Sequence, residues 1–219
     1  MQFINLHTHK FTKNSAILEI VNQYPNEFDA TIPQFSIGIH PWYIIENQIE
    51  NYLNFIEVTL QNPNCLALGE CGLDKRIEIS MEIQTQVFEK QLLLANKYQK
   101  PVIIHCVAAF SEIILIKKKL NINVPMIIHG FSKNWETAKQ LLENGFYISF
   151  GKYLLLNENL KSVFVQIPND RLFLETDTIN ETIHDVYKKA LEYKNIEMKE
   201  LQEIVAQNFK SVFKINNEY

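Results

Sequence analysis

The chain reads as an α/β protein of the (β/α)8 TIM-barrel class, abbreviated in its N-terminal region, and three observations carry that reading. Eight short apolar runs recur along the sequence, and from Ile49 onward they alternate with stretches whose apolar residues fall at helical spacing. The runs are nearly continuous in apolar residues rather than alternating, as expected of parallel strands buried on both faces. Most of them end in histidine, glutamate or aspartate, and the C-terminal ends of barrel strands form the face where catalytic groups collect. An open doubly wound sheet would alternate similarly, but the phosphate fingerprint Gly-x-Gly-x-x-Gly is absent.

The first run is Phe3-Ile4 leading into Asn5-Leu6-His7-Thr8-His9, where residues two apart on a strand share a face, so one metal ion can be held by both imidazoles. Lys10 to Ser15 reads as a loop and Ala16 to Val21 as a second strand, with a short helix as the competing reading. Asn22 to Pro33 holds two prolines and little periodicity, which predicts a connection without the usual helix. Phe35 to Ile39 is a strand delivering His40 and stopped by Pro41. The stripe Ile49, Tyr52, Leu53, Ile56 and Leu60 predicts the first helix.

The pattern then repeats. Leu66 to Leu68 is a strand ending in Gly69-Glu70, followed by a helix with Val87, Phe88, Leu92, Ala95 and Tyr98 on one face. Val102 to Ile104 ends in His105, and its helix closes on Lys117 to Lys119, cations that suit a helix C-terminus. Met126 to Ile128 ends in His129 before a helix stopped at Gly145. Phe146 to Phe150 is a strand, Asn157 to Gln166 a helix, and Leu172 to Leu174 a strand ending in Glu175-Thr176-Asp177. Two amphipathic helices follow, on Ile183, Val186, Tyr187, Ala190 and Leu191, and on Leu201, Ile204, Val205, Asn208 and Val212.

At 219 residues, 47% hydrophobic and 21% charged, the chain can bury one sizeable core, and a single domain spanning residues 1–219 is expected. No basic leader with an apolar segment precedes the first strand, and no apolar run approaches the roughly 20 residues a membrane span needs. A cytoplasmic protein, monomeric by default, is the expectation. Cys65, Cys71 and Cys106 are odd in number and lack Cys-x-x-Cys spacing, which predicts free, mostly buried thiols. A net charge of −4 argues against a globally basic nucleic-acid-binding surface but leaves room for a local positive site created by metal.

His7, His9, Glu70, His105, His129 and Asp177 all fall at or just past predicted strand ends. Singly, each has an ordinary structural role available, as a helix cap or a hydrogen-bonded histidine. Together they do not read that way: the chain has six histidines, and five of them, counting His40, lie at strand ends of one sense. Imidazole and carboxylate donors suit zinc, iron or manganese, and six of them exceed the four of a closed structural zinc site. Two divalent ions sharing one carboxylate account for the number.

These residues resemble the TatD-type metal-dependent hydrolases of the amidohydrolase superfamily, whose nucleases remove nucleotides from DNA. The resemblance runs nearly end to end through His7-Thr8-His9, Gly38-Ile39-His40-Pro41, Gly69-Glu70-Cys71-Gly72-Leu73-Asp74, Pro101 to His105, His129-Gly130-Phe131-Ser132 and Glu175-Thr176-Asp177. It implies that His7, His9 and Asp177 bind one ion, His105 and His129 the other, and that Glu70 bridges. Zinc, manganese, magnesium or iron are all compatible.

The expected activity is hydrolysis of phosphodiester bonds, as a DNA exonuclease using a metal-activated hydroxide, with Asp177 and Glu70 catalytic and His40 contacting substrate. Two departures stand out. Asn5 replaces a common aspartate, which removes a negative charge beside the ligands. Cys106-Val107-Ala108 stands where an arginine is common, which removes a bidentate phosphate donor. The alternatives are a small-molecule amidohydrolase and a metal-binding family member without catalysis. Trp42, Lys10, Lys75 and Lys152 sit near strand ends as surface or packing residues able to reach a substrate, and His184 is assigned no role.

Overall fold

Phe3–Thr8 forms the first strand (β1), its last five residues buried. The computed structural model describes residues 2–214. In chain order the further elements are β2 (Ile17–Gln23), β3 (Phe35–Ile37), α1 (Ile49–Thr59), β4 (Cys65–Asp74), α2 (Met81–Tyr98), β5 (Val102–Val107), α3 (Phe110–Lys119) and β6 (Met126–Ile128). They continue with α4 (Trp135–Glu143), β7 (Phe146–Phe150), α5 (Lys152–Leu156), α6 (Lys161–Phe164), β8 (Leu172–Leu174), α7 (Ile183–Lys194) and α8 (Met198–Phe213). The strands lie in one eight-stranded sheet in sequence order, with the β2–β3, β3–β4, β4–β5 and β7–β8 pairs parallel. This is the (β/α)8 barrel that the alternation predicts.

The N-terminal abbreviation is present: among the described residues, β1, β2 and β3 follow one another without an α-helix between them. The β-branched segment after Ala16 is a strand, not the competing helix. The chain gathers into two compact units, one comprising Val21–Ile127 and the other Met1–Ile20 with Ile128–Tyr219.

In the unit Val21–Ile127, two strands run further than their apolar runs suggest. β4 does not stop at Gly69-Glu70 but continues to Asp74, and β5 passes through His105 to Val107. The glycines that read as a strand end instead permit close approach. A Cβ on Gly72 would lie 1.9 Å from the His105 carbonyl oxygen, and one on Gly69 would lie 2.4 Å from that of Ile103. Glycine is required where backbones come this near, and both residues also hold φ values that side chains resist. The β4–β5 register shifts between Leu68 and Cys71, an irregularity that re-aims Glu70 within the strand.

Helix α2 starts at Ser80, whose side chain accepts from the Ile83 amide, and stops where Gln99 turns left-handed. Its predicted stripe of Val87, Phe88, Leu92 and Ala95 is buried. Gln84 and Gln91, two turns apart on the same helix, are buried as well. Gln84 accepts from the Asp74 amide (2.8 Å) and donates to the carbonyls of Asp74 and Ile79. Gln91 does the same for Ile39, accepting from its amide at 2.7 Å and donating to its carbonyl at 3.1 Å. Backbone groups at two strand ends are thereby paired by a helix, which holds those ends in place.

In the other unit, α7 opens on a capping box between Thr182 and Asp185 and buries Ile183, Val186, Tyr187 and Ala190, as the periodicity predicts. Helix α8 buries Leu201, Val205, Phe209 and Val212. Its buried Asn208 amide donates to the carbonyls of Asn169 and Leu172, fixing the start of β8. The single helix expected from Asn157 to Gln166 is broken. Asn157 is extended, its side chain accepts from the Asn159 amide, and a turn over Glu158–Leu160 precedes α6. An asparagine that caps a new turn competes with helix continuation, which is the physical reason for the break.

Candidate metal centre

In the unit containing β1, β7 and β8, backbone bonding at the ends of β1 and β8 brings the first ligand group together. Thr8 bridges to Asp177 in parallel sense. The Asp177 amide donates to the His7 carbonyl (3.0 Å), and the His9 amide donates to the Asp177 carbonyl (3.2 Å). Asp177 sits at φ +56°, a left-handed conformation that aspartate tolerates better than most side chains. Its carboxylate oxygen Oδ1 lies 3.4 Å from His9 Nε2 and 3.8 Å from His7 Nε2. The His7 ring centroid is 5.1 Å from that of His9 and 4.5 Å from that of His129. One donor atom from each of His7, His129 and Asp177 lies within 4.8 Å of the others, a spacing compatible with one cation.

His129 is oriented by a residue the motif reading left without a role. Glu175 is fully buried; its Oε1 accepts from the Gly130 amide (2.7 Å) and lies 3.2 Å from His129 Nδ1. A carboxylate holding Nδ1–H leaves Nε2 with its lone pair for a metal, the arrangement that carboxylate–histidine pairs provide at metal sites. Asn5 is buried beside Thr176, donating to its hydroxyl at 2.9 Å and accepting from its amide at 2.9 Å. An ionised aspartate could only accept, so the departure at this position gains a donor as it loses a charge.

In the unit Val21–Ile127, a second group is assembled chiefly by side chains. His105 Nδ1 lies 3.1 Å from Glu70 Oε1, and its Nε2 lies 3.3 Å from Asp74 Oδ2. Glu70 is 4% exposed, and its amide donates to Asn22 Oδ1 at 2.6 Å. His40, Glu70 and His105 likewise have donor atoms within 4.8 Å of one another. His40 differs from the rest in its chemistry: the Trp42 amide donates to its Nδ1 (3.1 Å), so the neutral ring carries its proton on Nε2, 3.1 Å from Glu70 Oε1. In this arrangement the His40 Nε2 faces the Glu70 carboxylate.

Asp74 is the second residue that sequence reasoning missed. It is buried at the end of β4, where it accepts from the Trp42 indole Nε1–H at 2.7 Å and from the Arg76 amide at 2.8 Å. Burial opposes its charge, but the bonds from Trp42, Arg76 and His105 outweigh that cost and hold its carboxyl below the usual carboxylate range. Asp74 and Glu175 both stood inside the quoted motifs, and the signal available was their place there, one histidine strand away from a ligand candidate.

The other expectations divide cleanly. Cys65, Cys71 and Cys106 are not joined in disulfides; burial pushes Cys65 up to about 12 and Cys71 well above its ordinary value, so both are inert packing groups. His184 packs its ring 4.0 Å from that of Phe3. Lys75 pairs with Glu112 and Lys10 donates to Asn180. Among the described residues, no helix is long and apolar enough to cross a membrane.

Imidazoles at strand ends backed by buried carboxylates are donors of the kind a metal-dependent hydrolase uses. The family model for TatD-related DNases matches residues 1–214, and the chain belongs to that family. It is 31% identical over 216 residues to the uncharacterized metal-dependent hydrolase YabD of Bacillus subtilis, covering 91% of this chain and 82% of the relative. It is 29% identical to the 3'-5' ssDNA/RNA exonuclease TatD of Edwardsiella piscicida, over 84% of this chain and 70% of that protein. Among solved structures, the TatD homologue YJJV of Escherichia coli K12 superposes with a TM-score of 0.84 at 20% identity, covering 97% of this chain and 98% of the other.

Proposed function

We propose that this metal-dependent hydrolase cleaves phosphodiester bonds, acting on DNA as an exonuclease with two divalent ions. The observation that carries the reading is that each unit presents its own tight set of imidazole and carboxylate donors, His7, His129 and Asp177 in one and His40, Glu70 and His105 in the other. The donor set fits zinc, manganese or iron in type, and the buried carboxylates behind His129 and His105 supply the orientation that metal-ligating histidines need. The motif resemblance implies a different grouping, with His7, His9 and Asp177 on one ion, His105 and His129 on the other and Glu70 on both, so His129 is the donor on which the two groupings differ. The exonuclease named among the relatives supports nucleic acid as the substrate.

Bound ions supply positive charge for an anionic phosphodiester and make a water acidic enough to attack at neutral pH. The protein's own groups do the rest. Asp177 is partly exposed at the β1 and β8 ends, so its carboxylate would be open to a metal-activated water there, to orient it and take its proton. His40, the residue this reading assigns to substrate, is buried with its Nε2 3.1 Å from Glu70 Oε1.

The test is hydrolysis of an end-labelled single-stranded DNA oligonucleotide by metal-stripped protein resupplied with manganese, magnesium or zinc, with His129→Ala as control. Progressive shortening that the variant loses is the expected result and fixes the polarity. Metal binding without shortening under any ion would overturn the nuclease reading in favour of a small-molecule amidohydrolase.

A further inference from the structure

Directly beyond His40, within the unit Val21–Ile127, the turn Pro41–Tyr43 presents two aromatic side chains to solvent: Trp42 is 53% exposed and Tyr43 51%. Together with Tyr24, Tyr52, Asn26 and Glu27 they line a cleft of about 420 Å³. Exposed rings of this size are costly to leave in water without a reason, and here they are not loose. The Trp42 indole is pinned by its bond to Asp74, and the Tyr24 and Tyr43 rings pack edge to face at 5.1 Å. The cleft touches the chemistry, since the Trp42 ring centroid lies 5.1 Å from that of His40 and 5.7 Å from that of His105. Among the described residues no lysine, arginine or histidine lines it and Glu27 does, so its charge disfavours a phosphate and suits a neutral, flat, polar-edged group.

We propose that this cleft is a nucleobase site, holding the base next to the scissile phosphate by stacking on Trp42 and Tyr43. The inference rests on the nuclease reading and adds to it what the chain uses in place of the missing arginine. Stacking is sequence-tolerant because every base has an aromatic face, while Asn26 and Glu27 at the rim pair with its polar edge. Pre-fixed rings lose little freedom on binding, so their contact area converts efficiently into affinity.

Two measurements test it. In the first, kcat/KM of the metal-loaded protein is compared on an oligonucleotide and on one bearing an abasic residue beside the cleaved bond. The intact strand should be preferred by about 5- to 150-fold, the range one stacked base provides. Tyr43→Ala should shrink that preference and Tyr43→Phe should restore it; equal use of both substrates, or a preference unchanged in Tyr43→Ala, overturns the proposal. The second measurement does not require turnover. The protein has two tryptophans, and deoxynucleoside monophosphates should quench its fluorescence saturably, with the quench lost in Trp42→Phe. If no oligonucleotide is cleaved, the nuclease reading fails, and the quench alone decides the cleft: its presence retains a base site and its absence removes it.

Discussion

The two ligand groups are built by different means. His7, His9 and Asp177 are brought together by main-chain bonds at the ends of β1 and β8, and His129 faces the buried Glu175 carboxylate. His105, Glu70 and His40 are placed by side chains acting on side chains and on strand ends, through Asn22, Asp74, Trp42 and the glutamines of α2. Backbone pairing follows from strand order and tolerates substitution, whereas a side-chain network depends on every member being satisfied. Yet both groups converge on one device, a buried carboxylate facing a histidine ring nitrogen.

The sharpest test of that contrast is Asp177→Asn. The main-chain bonds should survive, so the fold and the neighbouring histidines stay in place while the proposed proton acceptor is lost. Turnover should fall by about 10²–10⁴-fold with an unchanged circular dichroism spectrum. Full activity in the folded variant would remove Asp177 from the chemistry.

Next in size are Glu175→Gln and Asp74→Asn, one for each group. Each should weaken metal affinity or rate by about 10–100-fold, read by metal titration and initial rates. A loss in one variant and none in the other would show that the shared device operates in only one unit.

The smallest effect expected is on stability. Gln84→Met keeps the volume of a buried side chain but leaves the Asp74 amide and two carbonyls unpaired. Urea unfolding should show a loss of about 1–3 kcal/mol. An unaltered midpoint would mean that the clamp is dispensable and that Asp74 is held by Trp42 and Arg76 alone.

Much of this was legible in the residues. The alternation of apolar runs and helical stripes predicted the barrel, the sparse segment from Asn22 to Pro33 predicted the missing helix, and the histidines at strand ends pointed to the residues that the fold gathers into candidate metal groups. Boundaries were less legible. β4 was cut short at Gly69 because a glycine in a strand reads as a stop, while its reason here lies on the neighbouring strand, in the Ile103 and His105 carbonyls. The break at Asn157 was missed because a polar residue in a helical window carries no sign of which backbone group it will cap.

The sequence by itself determined the fold class, the family and the residue types of the site, because periodicity and motif spacing are local properties that survive without coordinates. Only the tertiary structure decided that His40 sits with Glu70 and His105, that Asp74 and Glu175 stand behind His105 and His129, and that Trp42 and Tyr43 wall a cleft beside them. Those facts depend on which atom of one side chain meets which atom of another. Such pairings join residues tens of positions apart, and one-dimensional spacing does not encode them.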